Sequence, residues 1–191
     1  MENNTQLKEM IRSMVIDILQ GQKQEMASSQ PIKQAPRGQV EPGVFDTVDE
    51  AIQAAKAAQA RFEDCTLATR EKVIADIRAA MRPRVQELAQ KTVDETGMGR
   101  VADKVLKLNL TLDKTPGVED LVTECETGDN GMTLYELSAY GVIGAVTPST
   151  NPAETLICNT IGMLAAGNAV FFSVHPGAKH LSRLLVSELN Q

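Results

Sequence analysis

The sequence has no tryptophan, and aromatic residues make up only 3% of its 191 positions. A core without large rings must be built from Ala, Val, Leu, Ile and Met, and a hydrophobic content of 42% supplies them. The same shortage, together with a formal net charge of −6, argues against nucleic-acid binding. Proteins that hold single strands stack bases on aromatic platforms beside a basic groove. Cysteine is sparse too. Cys65, Cys125 and Cys158 stand far apart with no C-x-x-C pair, which speaks against a metal site. An odd cysteine count with no secretory pattern points to a reducing cytoplasm. No apolar run approaches the roughly 18 residues of a membrane span. Neither a G-x-G-x-x-G fingerprint nor a P-loop occurs.

What is present begins with an amphipathic stripe. Leu7, Met10, Ile11, Met14, Val15, Ile18 and Leu19 recur at helical period, and Gly21 suits the end of a helix over 1–21. Residues 22–43 change character: Gln, Lys and Ser, with Pro31, Pro36 and Pro42, read as a flexible linker. A short helix is marginal in water without a partner, so the stripe must dock somewhere. It could fold back on its own body or oligomer, or bind another protein as an anchor. The linker's reach favours the second. Membrane adsorption is the weaker option, because Glu2, Glu9 and Asp17 offset Lys8 and Arg12 on the polar face.

The body, 44–191, opens with helices. Thr47 and Glu50 form a capping-box pattern ahead of an Ala-rich helix to about Phe62. A second helix starts at Thr66 or Thr69, Pro83 breaks or restarts it, and Gly97 suits the end of a third. A fourth runs over about 100–112, stopped by Thr115-Pro116-Gly117. Strand signals follow. The turn Gly128-Asp129-Asn130-Gly131 precedes a strand over 132–137. Residues 142–146 and 169–174 read as buried strands flanking a helix that starts at Pro152, with Asn151 a possible N-cap. A last helix follows Pro176-Gly177. Strand, helix, strand, helix at this spacing is the start of a parallel, Rossmann-like sheet in an α/β fold. Two core strands make a thin sheet, which suggests an incomplete chain.

Ligands of such sheets bind in loops beyond the carboxyl ends of the strands. Two loops qualify here: Thr147-Pro148-Ser149-Thr150-Asn151-Pro152 and His175-Pro176-Gly177-Ala178-Lys179. Hydroxyls and an amide at a helix opening can hold an oxyanion. Ordinary capping by Asn151 would explain the same residues.

The stretch T-G-D-N-G…L-Y-E-L-S-A-Y-G-V-I-G-A-V-T-P-S-T-N-P over 127–152 resembles the aldehyde dehydrogenase superfamily. P-S-T-N-P is similar to the CoA-acylating members rather than to the P-W-N-F-P of hydrolytic ones. E-T-G-M-G-R over 95–100, T-P-G-V-E over 115–119 and A-A-G-N-A-V-F-F-S-V-H-P-G-A-K over 165–179 resemble the same subgroup. The stripe and linker resemble the encapsulation extension of ethanolamine- and propanediol-utilisation enzymes. The resemblance implies an aldehyde dehydrogenase-like fold in which the segment around 132–137 is an oligomerisation hairpin, hence a homo-oligomer. It implies NAD and coenzyme A as cofactor and co-substrate, a short-chain aldehyde as substrate, and a bacterial microcompartment lumen as location. Residues 5–20 would bind shell or cargo.

The chemistry so implied is attack of a cysteine thiolate on the aldehyde, hydride transfer to NAD+, and transfer of the acyl group to CoA. Thr150 aligns with the family's oxyanion-binding Asn, while Asn151 supplies that chemistry one residue later; both stay open. Thr147, Pro148 and Ser149 would line the cofactor cleft. His175 stands where hydrolytic members place a ribose-contacting Lys, and Gly177 is in the same loop. The family's catalytic cysteine would lie beyond residue 191. Cys158, two turns into the helix after Pro152, reads as a small buried hydrophobe. The chain alone is therefore expected to be inactive. The alternative is a non-catalytic assembly or cargo-adaptor protein derived from such an enzyme. Glu71, Lys72, Arg78, Arg82 and Arg84 read as solvated helix faces.

A fluorescent protein carrying residues 1–21 is expected to form puncta in cells that make microcompartment shells. Substituting Leu7, Ile11 or Ile18 by Glu should disperse them; a signal that is diffuse from the outset would remove the anchoring role.

Overall fold

The computed structural model describes residues 41–190. The expected helix over 1–21 and most of the expected linker lie outside the described residues. The packed body starts slightly earlier than the linker boundary implies. Glu41 pairs with Arg183 at 3.1 Å, and Gly43, at φ +73°, lies against Asn190.

Four helices come first: α1 (Val48–Phe62), α2 (Leu67–Met81), α3 (Val85–Thr96) and α4 (Val101–Lys114). Their ends follow the expected local chemistry. The Thr47 hydroxyl accepts from the Glu50 N–H, and the Glu50 carboxylate accepts from the Thr47 N–H, a reciprocal capping box. Thr66 caps α2. Pro83 sits in a short 3₁₀ turn, Arg82–Arg84, between α2 and α3. Gly97 ends α3 at φ +66°, the left-handed conformation glycine adopts without a Cβ penalty.

An antiparallel hairpin follows, β1 (Glu124–Gly128) and β2 (Gly131–Tyr135), in register from Glu124↔Tyr135 to Gly128↔Gly131. Both strands are exposed along their whole length. The second strand stops at Tyr135 rather than Leu137. The partner strand β1, Glu124-Cys125-Glu126-Thr127-Gly128, has no apolar alternation of its own, so only the turn and β2 carry a strand signal in sequence.

The last segment is β3 (Val142–Thr147), α5 (Pro152–Ala165), β4 (Ala169–Val174) and α6 (Lys179–Leu189). β3 and β4 pair in parallel from Val142↔Ala169 to Thr147↔Val174, the expected β-α-β unit. Helix α5 is the centre of the body and touches α2, α4, α6 and both parallel strands. Leu88, Leu108, Leu112, Leu156, Ile157, Ile161 and Leu185 are fully buried around it. The expectation of strands buried on both faces needs correction. In β3, Ala145 and Thr147 are buried, whereas Val146 between them is 84% exposed. Alternate residues of a strand point to opposite faces, and among the described residues nothing covers the second face at Val146.

The turn from α5 into β4 is pinned from three sides. Asn168 Oδ1 accepts from the N–H groups of Tyr140 and Gly141, at 2.6 and 3.0 Å. Gln59 Nε2 donates to the Gly167 carbonyl at 3.1 Å. Arg70 donates to the Ala165 carbonyl and lies over the Phe62 ring. Gly167 adopts φ +78°, a conformation that is strained for any residue with a Cβ, with the Arg70 guanidinium packed close against it.

Two further corrections concern charged residues expected on solvated faces. Arg78 donates to the Thr115 carbonyl at 2.6 Å and anchors the Thr115-Pro116-Gly117 turn. The Glu119 carboxylate closes that turn by accepting from the Gly117 N–H, and the backbone N–H groups of Glu119 and Gly117 hold its carboxyl below the usual range. Arg84 bridges Glu87 and Glu188, tying α3 to α6.

Leu156→Ala should lower the stability of the chain by about 2–5 kcal/mol in urea unfolding, because α5 cannot collapse onto the cavity. Val146→Ala should change it by less than about 0.5 kcal/mol.

Candidate active site

The parallel register ends with Thr147 opposite Val174, so the loops that follow β3 and β4 leave the same edge of the sheet side by side. The first loop is Pro148 to Asn151. Pro152 occupies the first helical position of α5, where a missing N–H costs nothing. Asn151 stands at the N-cap position, yet its side chain makes no capping hydrogen bond. Its Oδ1 instead accepts from Lys104 Nζ at 3.3 Å and from Lys107 Nζ at 3.2 Å.

Both lysines come from α4, three residues apart and hence on one face. Lys104 is buried, with a side chain 4% exposed. Its ammonium also donates to the Thr150 carbonyl at 2.5 Å and lies 3.6 Å from Glu154 Oε1. A buried ammonium is tolerated only when paired and hydrogen-bonded. Lys104 meets both demands, with Thr150 and Asn151 as acceptors and Glu154 as counter-charge. Glu154 is 10% exposed, and neither carboxylate oxygen has a hydrogen-bond partner. Its compensation is coulombic, from Lys104 and from its place in the first turn of α5, where the helix dipole favours a carboxylate. Gly99, at φ +81°, lets the loop between α3 and α4 pass over the Lys104 stem. Met98 of that loop reaches Ser149, with Sδ 4.0 Å from Oγ.

The second loop is built differently. His175 is exposed, and its Nδ1 accepts from the Gly177 N–H at 3.0 Å. A neutral ring so bonded carries its proton on Nε2, which is left free to donate. The N-terminus of α6 is already occupied. Both oxygens of Glu95 cap it, accepting from the N–H groups of His180 and Leu181 at 2.8 Å each. This second loop therefore offers side chains to a ligand rather than free helix N–H groups.

Of the residues singled out in sequence, Pro148, Thr150, His175 and Gly177 are exposed, and Ser149 and Asn151 are half-buried. Thr147 departs from the expectation that it lines a cleft: it is buried, and its Oγ1 has no partner. Cys158 also departs from expectation. It is exposed, because the buried face of α5 runs through Ala153, Leu156, Ile157, Thr160 and Ile161, and Cys158 turns away from it. Cys125 is exposed and Cys65 half-buried. The described residues contain no group of three His, Cys, Asp or Glu that could hold a metal. None of their helices is long and apolar enough to cross a membrane.

The residues missed in sequence are Lys104, Lys107, Glu154 and Glu95. A signal existed for two of them. Lys104 falls on the same stripe as Val101, Val105 and Leu108, and Glu154 shares a stripe with Ile157 and Ile161. A charge on each of two apolar stripes is the mark of a buried pair.

The family model described as "Aldehyde dehydrogenase family" matches residues 18–190. The chain is 46% identical over 189 residues to the CoA-propanoylating propanal dehydrogenase of Salmonella typhimurium, covering 99% of the chain and 39% of that relative. It is 48% identical over 151 residues to the acetylating acetaldehyde dehydrogenase of Escherichia coli, covering 79% of the chain and 32% of that relative. Among solved structures, the propionaldehyde dehydrogenase from the fucose-utilisation microcompartment of Clostridium phytofermentans superposes with a TM-score of 0.76 at 50% identity, covering 78% of the chain and 34% of that protein. The chain thus spans well under half the length of the proteins it matches.

Lys104→Met should cost about 3–5 kcal/mol, the usual penalty for stranding one member of a buried pair. Adding Glu154→Leu should recover part of the loss. Urea unfolding of the two single variants and the double variant checks this, and strict additivity would show that the pair is not coupled.

Proposed function

The chain belongs to the aldehyde dehydrogenase family, and we propose that it is the N-terminal part of a CoA-acylating member. The overall reaction converts a short aldehyde, CoA and NAD+ into acyl-CoA, NADH and a proton. The observation that carries this reading is the 46% identity to a CoA-propanoylating enzyme across nearly the whole chain.

Within that reaction, this chain binds and polarises. The oxyanion formed when the aldehyde carbonyl is attacked needs a donor in a fixed position. Asn151 supplies it better than Thr150. With Oδ1 taken by two lysines, the free end of the carboxamide is the Nδ2 group, a donor. The Thr150 carbonyl is tied to Lys104, and its side chain is exposed.

The adjoining loops fit a nucleotide cofactor through hydroxyl, imidazole and backbone groups: Pro148, Ser149, His175 and Gly177 at the open carboxyl edge. Glu95 leaves no room for a phosphate at the start of α6, so the pyrophosphate must be held elsewhere. NAD+, when bound, accepts the hydride, and CoA accepts the acyl group. Thr147 has no direct part.

The catalytic thiolate is assigned to a further segment: among the described residues Cys65, Cys125 and Cys158 are free, and none is hydrogen-bonded to a basic side chain. Residues 1–21 direct the protein into the lumen of a bacterial microcompartment. The 189-residue match to the propanal dehydrogenase spans that segment, whereas the 151-residue match to the acetaldehyde dehydrogenase leaves about as many residues unmatched as precede the body. Oligomers form through the exposed hairpin β1–β2.

The purified 191-residue chain, supplied with propanal, CoA and NAD+, should form no NADH, and the reading frame should continue downstream into a cysteine-bearing half. NADH formation by the chain alone, lost on Cys158→Ser, would overturn the assignment of the nucleophile. A genuine stop with no such half nearby would favour an assembly role.

A further inference from the structure

We infer that Lys104 and Lys107 are positioning residues that fix the carboxamide of Asn151 with its oxygen inward and its NH2 group outward, with Glu154 as the counter-charge beside Lys104. The inference rests on the reading of Asn151 as the oxyanion donor.

The argument starts from donor chemistry. An ammonium has three donors and no acceptor. The atom of Asn151 that faces two ammonium groups, at 3.3 and 3.2 Å, must therefore be the oxygen. A carboxamide on its own rotates between two nearly equivalent orientations about its last torsion. One of them would present an acceptor to an oxyanion, and the contact would be repulsive. Two lysines remove that orientation. They also pull electron density towards Oδ1, which strengthens donation from Nδ2.

The supports of the two lysines differ. Lys104 is buried, and its third contact, to the Thr150 carbonyl, ties the loop backbone to the same ammonium. Glu154 supplies the opposite charge 3.6 Å away without competing for its donors, since neither carboxylate oxygen is hydrogen-bonded. Lys107 is exposed and can be changed without opening the core. Gly99 allows the Lys104 stem its path, because a Cβ there would stand 3.3 Å from Cε.

The test is the orientation of the Asn151 amide in the full 191-residue chain, read from residual dipolar couplings of its two Nδ2–H bonds in isotopically labelled, weakly aligned protein. One fixed orientation is expected in the natural sequence. Lys107→Met should shrink the couplings, and Lys107→Arg, which keeps charge and donors, should restore them. Lys104→Met should abolish them. Should that variant unfold, the Lys107 pair of variants still decides. Couplings that are averaged in the natural sequence, or unchanged in Lys107→Met, would overturn the inference. No substrate is present, so such a result would leave the dehydrogenase reading to the NADH and reading-frame tests.

Discussion

Lys104 brings a full positive charge into a place that water does not reach, and the candidate site is arranged around the need to satisfy it. An ammonium left alone there would be unaffordable. Its three partners lie within one five-residue stretch: the loop residues Thr150 and Asn151, and Glu154 in the first turn of α5. Satisfying the charge therefore means fixing the loop, the start of α5 and the face of α4 relative to one another. Such a pair adds little net stability compared with well-packed apolar groups, but it accepts only one arrangement of its neighbours. In the role proposed for Asn151, one amide donor presented in one direction, that selectivity matters more than the stability.

The helical half of the fold was legible because each boundary has a local cause. Thr47 with Glu50, Thr66, Pro83 and Gly97 each act on residues within one turn, so their effect shows in sequence. The β-α-β unit was legible from the spacing of its apolar runs. The site was only partly so. Its loops could be placed, since they follow strands, but the partners of their side chains could not. Asn151 looks like a helix cap in sequence and is instead held by two lysines more than forty positions away. Cys158 looks buried from its neighbours Leu156 and Ile157, and only the angular position on α5 shows otherwise. Arg78 and Arg84 look like solvated charges, because the carbonyl and the carboxylate they reach are distant in sequence.

The exposed apolar residues have a consistent physical meaning. Val146 lies on the uncovered face of β3, Leu106 and Leu110 lie together on α4, and Met132, Leu134 and Leu137 crowd the hairpin and the residues just after it. Single exposed apolar side chains are ordinary, but clusters on a sheet face and along a hairpin are not. Clusters of this kind are the usual mark of a surface that packs against another.

Glu95 shows how the same fold directs a ligand by closing one option. The N-terminus of a helix attracts anions, and α6 follows a strand at the ligand-binding edge, where a phosphate would ordinarily find free N–H groups. Both oxygens of Glu95 fill that position with good geometry and a full negative charge. A phosphate would have to displace a carboxylate that is part of the packing between α3 and α6. The start of α5 is less favourable to an anion than most helix openings: Pro152 has no N–H to offer, and the Glu154 carboxylate stands in the first turn. With the start of α6 denied to phosphate, the groups left along the two loops include the Asn151 amide, the Ser149 and Thr150 hydroxyls and the His175 imidazole. These suit a carbonyl oxygen and the hydroxyls of a ribose.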